Sequence, residues 1–301
     1  ATLSWRHDRV VQGGLMMAGF PSRLPGPAKV VLAASEDSDS LAAYCKGLHD
    51  LTKCRFGNPD APITYAVVGD SHAGSIRPAI EASGIMGDAA GTLYFLPSCP
   101  LLDGALLRDR HEQKSCTKFK EEVFQQIEAN PNLQTIILAG RWPYPVTGRL
   151  PEFGGGLRVL LTDQETEIPS IEENAAVVRR SLVRTLDRLS SMGLEVIIIG
   201  STPEVGFDVP HAVAMALYAG IEAPRGIPRE TVEQRAGLAD TLLADIIQGR
   251  DSVRLISIWS RFCDNEWCKI DHDGIPIYHD EHHLSYHGAI TVAAPALKLE
   301  N

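Results

Sequence analysis

The most informative part of the chain reads Ile63-Thr64-Tyr65-Ala66-Val67-Val68-Gly69-Asp70-Ser71-His72. Its first six residues have the apolar, β-branched and aromatic side chains of a strand, and a helical pattern begins after the Gly-Asp-Ser corner. A serine at such a corner lies at the carboxyl end of its strand, where ligands bind in open α/β sheets. The run therefore predicts an α/β fold with a candidate site at Ser71. We expect Asp70 to hydrogen-bond the backbone of the turn.

The same alternation of strand and helix continues along the chain. Strands are predicted at 63–69, 92–97, 134–139, 194–200 and 253–258, and helices at 72–84, 114–129, 170–192 and 229–249. Short strands separated by helices are typical of a parallel, doubly wound sheet. We therefore predict a three-layer α/β/α sandwich around a five-stranded parallel sheet.

The first sixty residues differ from the rest in their pattern. They show no clear periodicity, and prolines at 21, 25 and 27 precede a polar run at 35–40. Such composition is typical of irregular structure. We predict that residues 1–60 form an extension or linker that packs on a catalytic domain spanning residues 61–301.

A second motif, Asp280-Glu281-His282-His283, lies near the other end of the chain. A serine hydroxyl is a poor nucleophile at neutral pH and needs a base that a third group orients. Asp280 and His283 are three residues apart, so both side chains can project from the same side of one turn. The sequence therefore predicts Ser71 as nucleophile, His283 as general base and Asp280 as the acid that orients it.

These two blocks resemble those of the SGNH (GDSL-like) hydrolase family. More narrowly, the chain resembles the extracytoplasmic SGNH domain fused to acyltransferase-3 membrane proteins that O-acetylate bacterial surface polysaccharides. The matching residues are Gly69-Asp70-Ser71-His72-Ala73 and Asp280-x-x-His283-Leu284-Ser285-x-x-Gly288-Ala289, and the resemblance covers roughly residues 60–301. It implies a flavodoxin-like fold and a serine-dependent O-acetyltransferase. An acetyl-serine intermediate would pass the group to a sugar hydroxyl of lipopolysaccharide, peptidoglycan or a similar glycan.

The resemblance also implies partners and location. An acyltransferase-3 membrane domain, within the same full-length chain, would supply the acetyl group from cytoplasmic acetyl-CoA, so we expect no cofactor bound here. The acceptor would be a glycan. The domain would lie in the periplasm, tethered to the inner membrane. Because the chain begins at Ala1 without a methionine, we interpret it as a domain of a longer protein or as a processed one.

The oxyanion hole departs from the family pattern. SGNH enzymes use the nucleophile N–H, a glycine and an asparagine, but this chain has Pro97-Ser98-Cys99-Pro100 and Leu138-Ala139-Gly140-Arg141-Trp142 at the corresponding places. We expect the backbone N–H groups of Ser71 and Ser98 and the Arg141 region to serve instead.

Three further residues are candidates for substrate binding: His72, Trp142 and Tyr144. Trp142 and Tyr144 follow the third predicted strand and could stack on a sugar ring. Core packing is the alternative for a lone tryptophan. His72, beside the nucleophile, could equally be a buried structural histidine.

Composition restricts the partners and the compartment. A net charge of −10 and a pI near 5.5 argue against a nucleic-acid surface. Six cysteines fall into close pairs whose spacing favours three disulfides, Cys45/Cys54, Cys99/Cys116 and Cys263/Cys268. Such bridges indicate oxidising surroundings, whereas free thiols would indicate the cytosol.

Alternatives remain at the level of the sequence. His279, His283 and His287 stand four apart and could face one metal on a helix, but His-Glu-x-x-His does not occur and we predict no metal. The same triad would also serve an acetyl or carbohydrate esterase, with water in place of the sugar. A non-catalytic glycan-binding module is the third possibility.

Overall fold

A central sheet organises the computed structural model, which describes residues 24–46, 53–107, 113–151 and 159–298. In chain order its strands are β1 (Arg55–Gly57), β2 (Ile63–Gly69), β3 (Ala90–Phe95), β4 (Thr135–Ala139), β5 (Glu195–Ile199) and β6 (Val253–Ile256). Their order across the sheet is β1-β3-β2-β4-β5-β6. β1 is antiparallel to β3, and the other neighbouring pairs are parallel. Chain order reverses beside β2, the position at which open α/β sheets bind ligands.

The five predicted parallel strands correspond to β2 through β6. The antiparallel edge strand β1 was not predicted, so the sheet has six strands where the sequence indicated five. Three residues, Arg55–Gly57, are too few to show alternation. β1 lies before the predicted start of the catalytic domain at residue 61, and the division of the chain there stays a prediction.

Helices cover both faces of the sheet. They are α1 (Gly26–Ala33), α2 (Ser40–Cys45), α3 (Ser71–Ser83), α4 (Gln113–Glu128), α5 (Pro143–Thr147), α6 (Ile171–Ser191), α7 (Val209–Ala219), α8 (Arg229–Val232), α9 (Leu238–Ile247), α10 (Tyr286–Gly288) and α11 (Ala294–Lys298). A π-helical turn, Glu233–Gly237, joins α8 to α9, and another, Ala289–Ala293, joins α10 to α11. Two-residue strands pair as three small ribbons, Leu106–Leu107 with Leu161–Thr162, Ile227–Pro228 with Trp267–Cys268, and Asp271–His272 with Ile275–Pro276.

Alternating side chains of the strands build the two halves of the core. Val67 and Ile137 face a layer that contains α3 and α11, whereas Val68 and Leu138 face a layer that contains α4, α6 and α9. Successive residues of a strand point to opposite faces of the sheet, so strands buried on both faces are apolar throughout. The three-layer α/β/α sandwich predicted from the sequence is confirmed.

The described part of the extension contains α1, α2 and β1 and is joined to the rest. α1 packs against α7 through Ala28, Val31 and Ala214. Asp39 caps α2 and forms a buried ion pair with Arg77 of α3, with 2.5 Å between Oδ2 and Nε. α1 and α7 were not predicted because they are apolar on most sides and lack a 3.6-residue pattern.

The structure contains all three predicted disulfides, Cys45–Cys54, Cys99–Cys116 and Cys263–Cys268. The first joins α2 to the start of β1, and the second joins the loop after β3 to α4. Within the described ranges, no helix is long and apolar enough to span a bilayer.

Substitution of Gly69 tests the close approach of two strands. A Cβ at this position would overlap the carbonyl oxygen of Ala139 on β4. We expect Gly69→Ala to lower the free energy of unfolding by about 3 kcal/mol, because backbone must move to admit the methyl group. Gly26→Ala is the control, since its added Cβ meets nothing within 4 Å. Urea unfolding measures both, and equal stability of the two variants would contradict the prediction.

Candidate active site

The corner after β2 is held by Asp70. Its Oδ1 accepts the backbone N–H of His72 at 2.8 Å, and its Oδ2 accepts the backbone N–H of Arg141 at 2.9 Å. Burial raises the pKa of this carboxyl group, although the two N–H groups oppose the shift. Asp70 thus joins the loops that follow the neighbouring strands β2 and β4, and it hydrogen-bonds the turn's backbone as the sequence predicted.

Ser71, His283 and Asp280 form a continuous chain of hydrogen bonds. His283 Nε2 lies 2.7 Å from Ser71 Oγ, and His283 Nδ1 lies 2.6 Å from Asp280 Oδ2. In a neutral ring with the proton on Nδ1, His283 donates to the carboxylate and accepts from the serine hydroxyl. The structure therefore brings together the three residues on which the sequence prediction of a triad rests.

Asp280 is oriented by its own loop. Its Oδ1 accepts the backbone N–H groups of His282 and His283 at 2.8 and 2.7 Å. Burial by itself would raise the pKa of Asp280, but the hydrogen bond from His283, the electrostatic interaction with that ring and the backbone N–H group of His282 outweigh it and hold the pKa well below its usual range. The carboxylate therefore stays ionised, as a group that stabilises an imidazolium must.

Two further histidines pack behind the triad. His72 Nε2 lies 3.1 Å from His282 Nδ1, and the His282 ring centroid lies 3.9 Å from that of His283. Burial lowers the pKa of His72 well below its ordinary value and lowers the pKa of His282 to about 2. Both rings are neutral, so neither of them places a positive charge beside His283.

Two of the three predicted substrate contacts are corrected. His72 is 3% exposed and lies behind the cleft, which fits the alternative of a structural histidine. Trp142 is also buried, and its Nε1 donates to the carbonyl of Ile199 at 2.8 Å, so it belongs to the core. Tyr144 does line the cleft. A buried indole needs an acceptor for its N–H, and the neighbouring strand supplies it.

A cleft of about 480 Å³ opens over the triad. Its polar wall contains Ser71, Ser98, Arg141, His279, His282 and His283, and its apolar wall contains Phe95, Leu102, Leu106, Leu107, Val159 and Leu161. Ser98 has a φ of 60°, a conformation uncommon for residues other than glycine. Among the described residues, neither the N–H of Ser71 nor that of Ser98 has an acceptor.

Two buried charged side chains, one next to the cleft and one in its wall, had no signal in the sequence. Glu204, in the loop after β5, accepts from Arg141 and Arg235. Lys120 lines the cleft and donates to the carbonyls of Leu102 and Ala105, and burial lowers its pKa to about 8. Charged residues in a loop or on a helix are normally solvated, so their position in the chain did not distinguish them.

The metal alternative is not favoured by the positions of the histidines. The predicted trio of His279, His283 and His287 is not brought together, because His279 and His283 lie in a loop and His287 lies on α10. Two other close sets in the described parts, one with His72 and His282 and one with His279 and Asp280, both require His283. Both its ring nitrogens already form hydrogen bonds within the triad. That the site holds no metal stays a prediction.

Comparison with known proteins gives a family and a fold. Residues 38–298 match the family model described as "SGNH domain (fused to AT3 domains)". The structure is similar to the lipopolysaccharide acetyltransferase periplasmic domain of Salmonella ser. Paratyphi A, with a TM-score of 0.57 and 12% identity, over 85% of this chain and 95% of that chain. At that identity the likeness shows a shared fold.

Two more distant structures are a proposed platelet activating factor from Streptococcus pneumonia and a proposed acylhydrolase from Bacteroides fragilis. The first has a TM-score of 0.41 and 11% identity, over 88% of this chain and 92% of that chain. The second has a TM-score of 0.39 and 8% identity, over 81% of this chain and 91% of that chain. No curated protein is significantly similar in sequence.

The buried histidine pair predicts a pH-dependent stability. The unfolded chain binds protons on these rings near pH 6.5, whereas the folded protein keeps His72 and His282 neutral. The free energy of unfolding therefore falls as the pH drops below about 6.5, by about 1.4 kcal/mol per pH unit for each ring. Urea unfolding between pH 6 and 4.5 should show a slope steeper by about 2–3 kcal/mol per pH unit than that of the double variant His72→Asn/His282→Asn.

The matched control for this measurement is His272→Asn. The His272 side chain is 40% exposed and should leave the slope of the parent protein unchanged. If the parent and the double variant show equal slopes, the two rings are not neutral in the folded state.

Proposed function

The chain belongs to the family of SGNH domains fused to AT3 domains, and we propose that it is a serine-dependent O-acetyltransferase acting on a sugar hydroxyl of a bacterial surface polysaccharide. Family membership makes it an enzyme of the acyltransferase or esterase kind. The observation that carries the proposal is the hydrogen-bonded chain from Ser71 through His283 to Asp280 at the mouth of a cleft.

The first half of the reaction forms an acetyl-serine. His283 Nε2 takes the hydroxyl proton as Ser71 Oγ attacks the acetyl carbonyl carbon of the donor. Asp280 stabilises the resulting imidazolium through the 2.6 Å hydrogen bond at Nδ1. The C–O bond to the leaving group then breaks, and His283 returns its proton to that group.

The second half transfers the acetyl group. A sugar hydroxyl gives its proton to His283 and attacks the acetyl carbon, and collapse of the tetrahedral intermediate returns the proton to Ser71. The oxyanion of both intermediates is stabilised by the backbone N–H groups of Ser71 and Ser98, which have no acceptor among the described residues. Ser98, whose φ is positive, lies in the loop that follows β3.

The source of the acetyl group is part of the proposal. A membrane acyltransferase domain in the same full-length chain would pass an acetyl group derived from acetyl-CoA to Ser71, and this domain would bind no cofactor of its own. The fusion to AT3 domains supports this route.

The location and the acceptor are also proposed. Three disulfides support an oxidising, periplasmic location with a tether to the inner membrane. The Salmonella neighbour belongs to a lipopolysaccharide acetyltransferase, which supports a cell-surface glycan as acceptor.

Removal of the triad should abolish turnover. We expect Ser71→Ala to lower kcat/KM for a chromogenic acetyl ester at least about 1,000-fold, and Asp280→Asn to lower it by a similar factor because the imidazole loses the group that orients it. Ser191→Ala is the control, since this serine is exposed and its hydroxyl donates to the carbonyl of Arg188 at the end of α6. Turnover that survives in Ser71→Ala would contradict the serine mechanism.

Transfer is distinguished from hydrolysis by the product. With an acetyl ester as donor and a surface polysaccharide as acceptor, mass spectrometry should detect acetylated glycan that requires Ser71. Free acetate as the sole product, at a rate that the glycan does not change, would identify an esterase. Glycan binding that is equal in the parent and in Ser71→Ala, without turnover in either, would identify a binding module.

A further inference from the structure

A buried carboxylate orients a guanidinium at the cleft. Glu204 Oε1 lies 2.5 Å from Arg141 Nε, and Glu204 Oε2 lies 2.9 Å from Arg235 Nε. The Glu204 side chain is 1% exposed. Two arginines share one carboxylate, so the group carries a net charge of about +1, and Arg141 is the member that lines the cleft.

Arg235 reaches this carboxylate from an irregular part of its helix. It lies within the π-helical turn Glu233–Gly237, and such turns are frequent at functional sites. Its guanidinium also donates to the hydroxyl of Thr147 and to the carbonyl of Arg149. These bonds fix Arg235, and through Glu204 they fix the orientation of Arg141.

Stability is a weak explanation for this arrangement. Burying a carboxylate removes its hydration, and exchanging a buried ion triad for apolar side chains is often neutral or stabilising. A shared carboxylate does, however, restrict a flexible arginine to one orientation. The geometry therefore fits a requirement for a positioned guanidinium in the cleft better than a requirement for a stronger core.

Arg141 is held close to the serine. Its backbone N–H donates to Asp70, the residue before Ser71, so that N–H is not available to an oxyanion. Its side chain donates to Glu204 through Nε, while NH1 and NH2 have no acceptor among the described residues. Its Cζ lies 5.1 Å from the ring centroid of Tyr144.

The charge of Arg141 also affects His282, which packs against the triad. After burial and the charge of His283, it is a further cause that lowers the pKa of His282. A cation that lines the same cleft as Ser71 favours negative charge there. In the proposed reaction, such charge develops on the carbonyl oxygen when Ser71 attacks.

We propose that the Arg141 guanidinium donates to the oxyanion of the tetrahedral intermediate at Ser71, and that Glu204 and Arg235 are positioning residues that hold it there. The inference rests on the serine mechanism of the proposed function. A donor that is oriented in advance gains most when charge develops, so it lowers the barrier without tightening substrate binding. The donor to the oxyanion is thus the Arg141 side chain rather than its backbone N–H.

The test follows the reactivity of Ser71 without an acceptor. An uncharged p-nitrophenyl phosphonate forms an adduct at a nucleophilic serine with a negatively polarised oxygen in the oxyanion position. Phosphonylation rates and acetyl-ester kinetics would be measured for the parent, Arg141→Gln, Glu204→Gln and Arg235→Gln. Arg179→Gln is the control, since this arginine is 45% exposed on α6 and pairs with Asp245.

We expect Arg141→Gln to reduce both the phosphonylation rate and kcat for the ester about 100-fold, with KM unchanged. Glu204→Gln and Arg235→Gln should each reduce them about 10-fold, because Arg141 remains but is less well oriented. The double variant Arg141→Gln/Glu204→Gln should be no slower than Arg141→Gln, since Glu204 acts through Arg141.

Three outcomes would overturn the inference. If Arg141→Gln leaves both the phosphonylation rate and kcat for the ester unchanged, the guanidinium does not stabilise the oxyanion. If the effects of the double variant multiply, Glu204 acts independently of Arg141. If Ser71 of the parent does not react at all, the serine mechanism itself fails. If Glu204→Gln does not fold, Arg141→Gln and Arg235→Gln still test the inference, because both arginine side chains are partly exposed.

Loss of the inference and loss of the proposed transfer reaction are distinguishable. If the parent produces acetylated glycan and Arg141→Gln is equally reactive, the proposed transferase function stands and the proposed role of the Arg141 guanidinium is wrong. If free acetate is the sole product and the variants show the expected decreases in phosphonylation rate, the role of the Arg141 guanidinium stands and the proposed transferase function is wrong.

Discussion

The arrangement of the site depends on the carboxylate of Asp70. Parallel strands end at the same edge of the sheet, and a link between the loops that follow β2 and β4 fixes the relative position of these loops. Asp70 provides it by accepting N–H groups from His72 and Arg141. Because Ser71 is the next residue, the nucleophile and the Arg141 loop are positioned by one buried side chain. Gly69 allows the close backbone approach that this bond requires.

Charge is distributed unevenly around the serine. The neutral pair of His72 and His282 lies behind His283, while the ionised Asp280 lies at its Nδ1. Arg141, supported by Glu204, supplies positive charge in the cleft. Because the rings of His72 and His282 are neutral, neither adds a positive charge beside the triad, and the charge of Arg141 favours an anionic transition state in the cleft. Asp280, His283 and Arg141 thus occupy separate positions in the site of the Ser71 hydroxyl.

Much of the fold could be predicted because its signals are local. Strands β2 to β6 are short apolar runs bounded by polar corners, and α6 shows its apolar face in the spacing from Val177 to Leu189. The short edge strand β1 and the apolar helices α1 and α7 were missed, since three residues show no alternation and an apolar helix shows no face. The cysteine pairs could be predicted because the two cysteines of each pair are at most 17 residues apart in the chain.

The sequence by itself determined the identity of the three residues that meet at the site. A serine at a strand-to-helix corner and an Asp-x-x-His motif are patterns of neighbours, and the topology of a parallel sheet brings their ends together. Only the tertiary structure decided that His72 and Trp142 are buried, that Tyr144 lines the cleft, and that Glu204 orients Arg141. Arg141, Glu204 and Arg235 are far apart in the chain, and whether a charged side chain is solvated or buried depends on what packs over it. That information lies in the packing of three separate loops and helices, which no local pattern encodes.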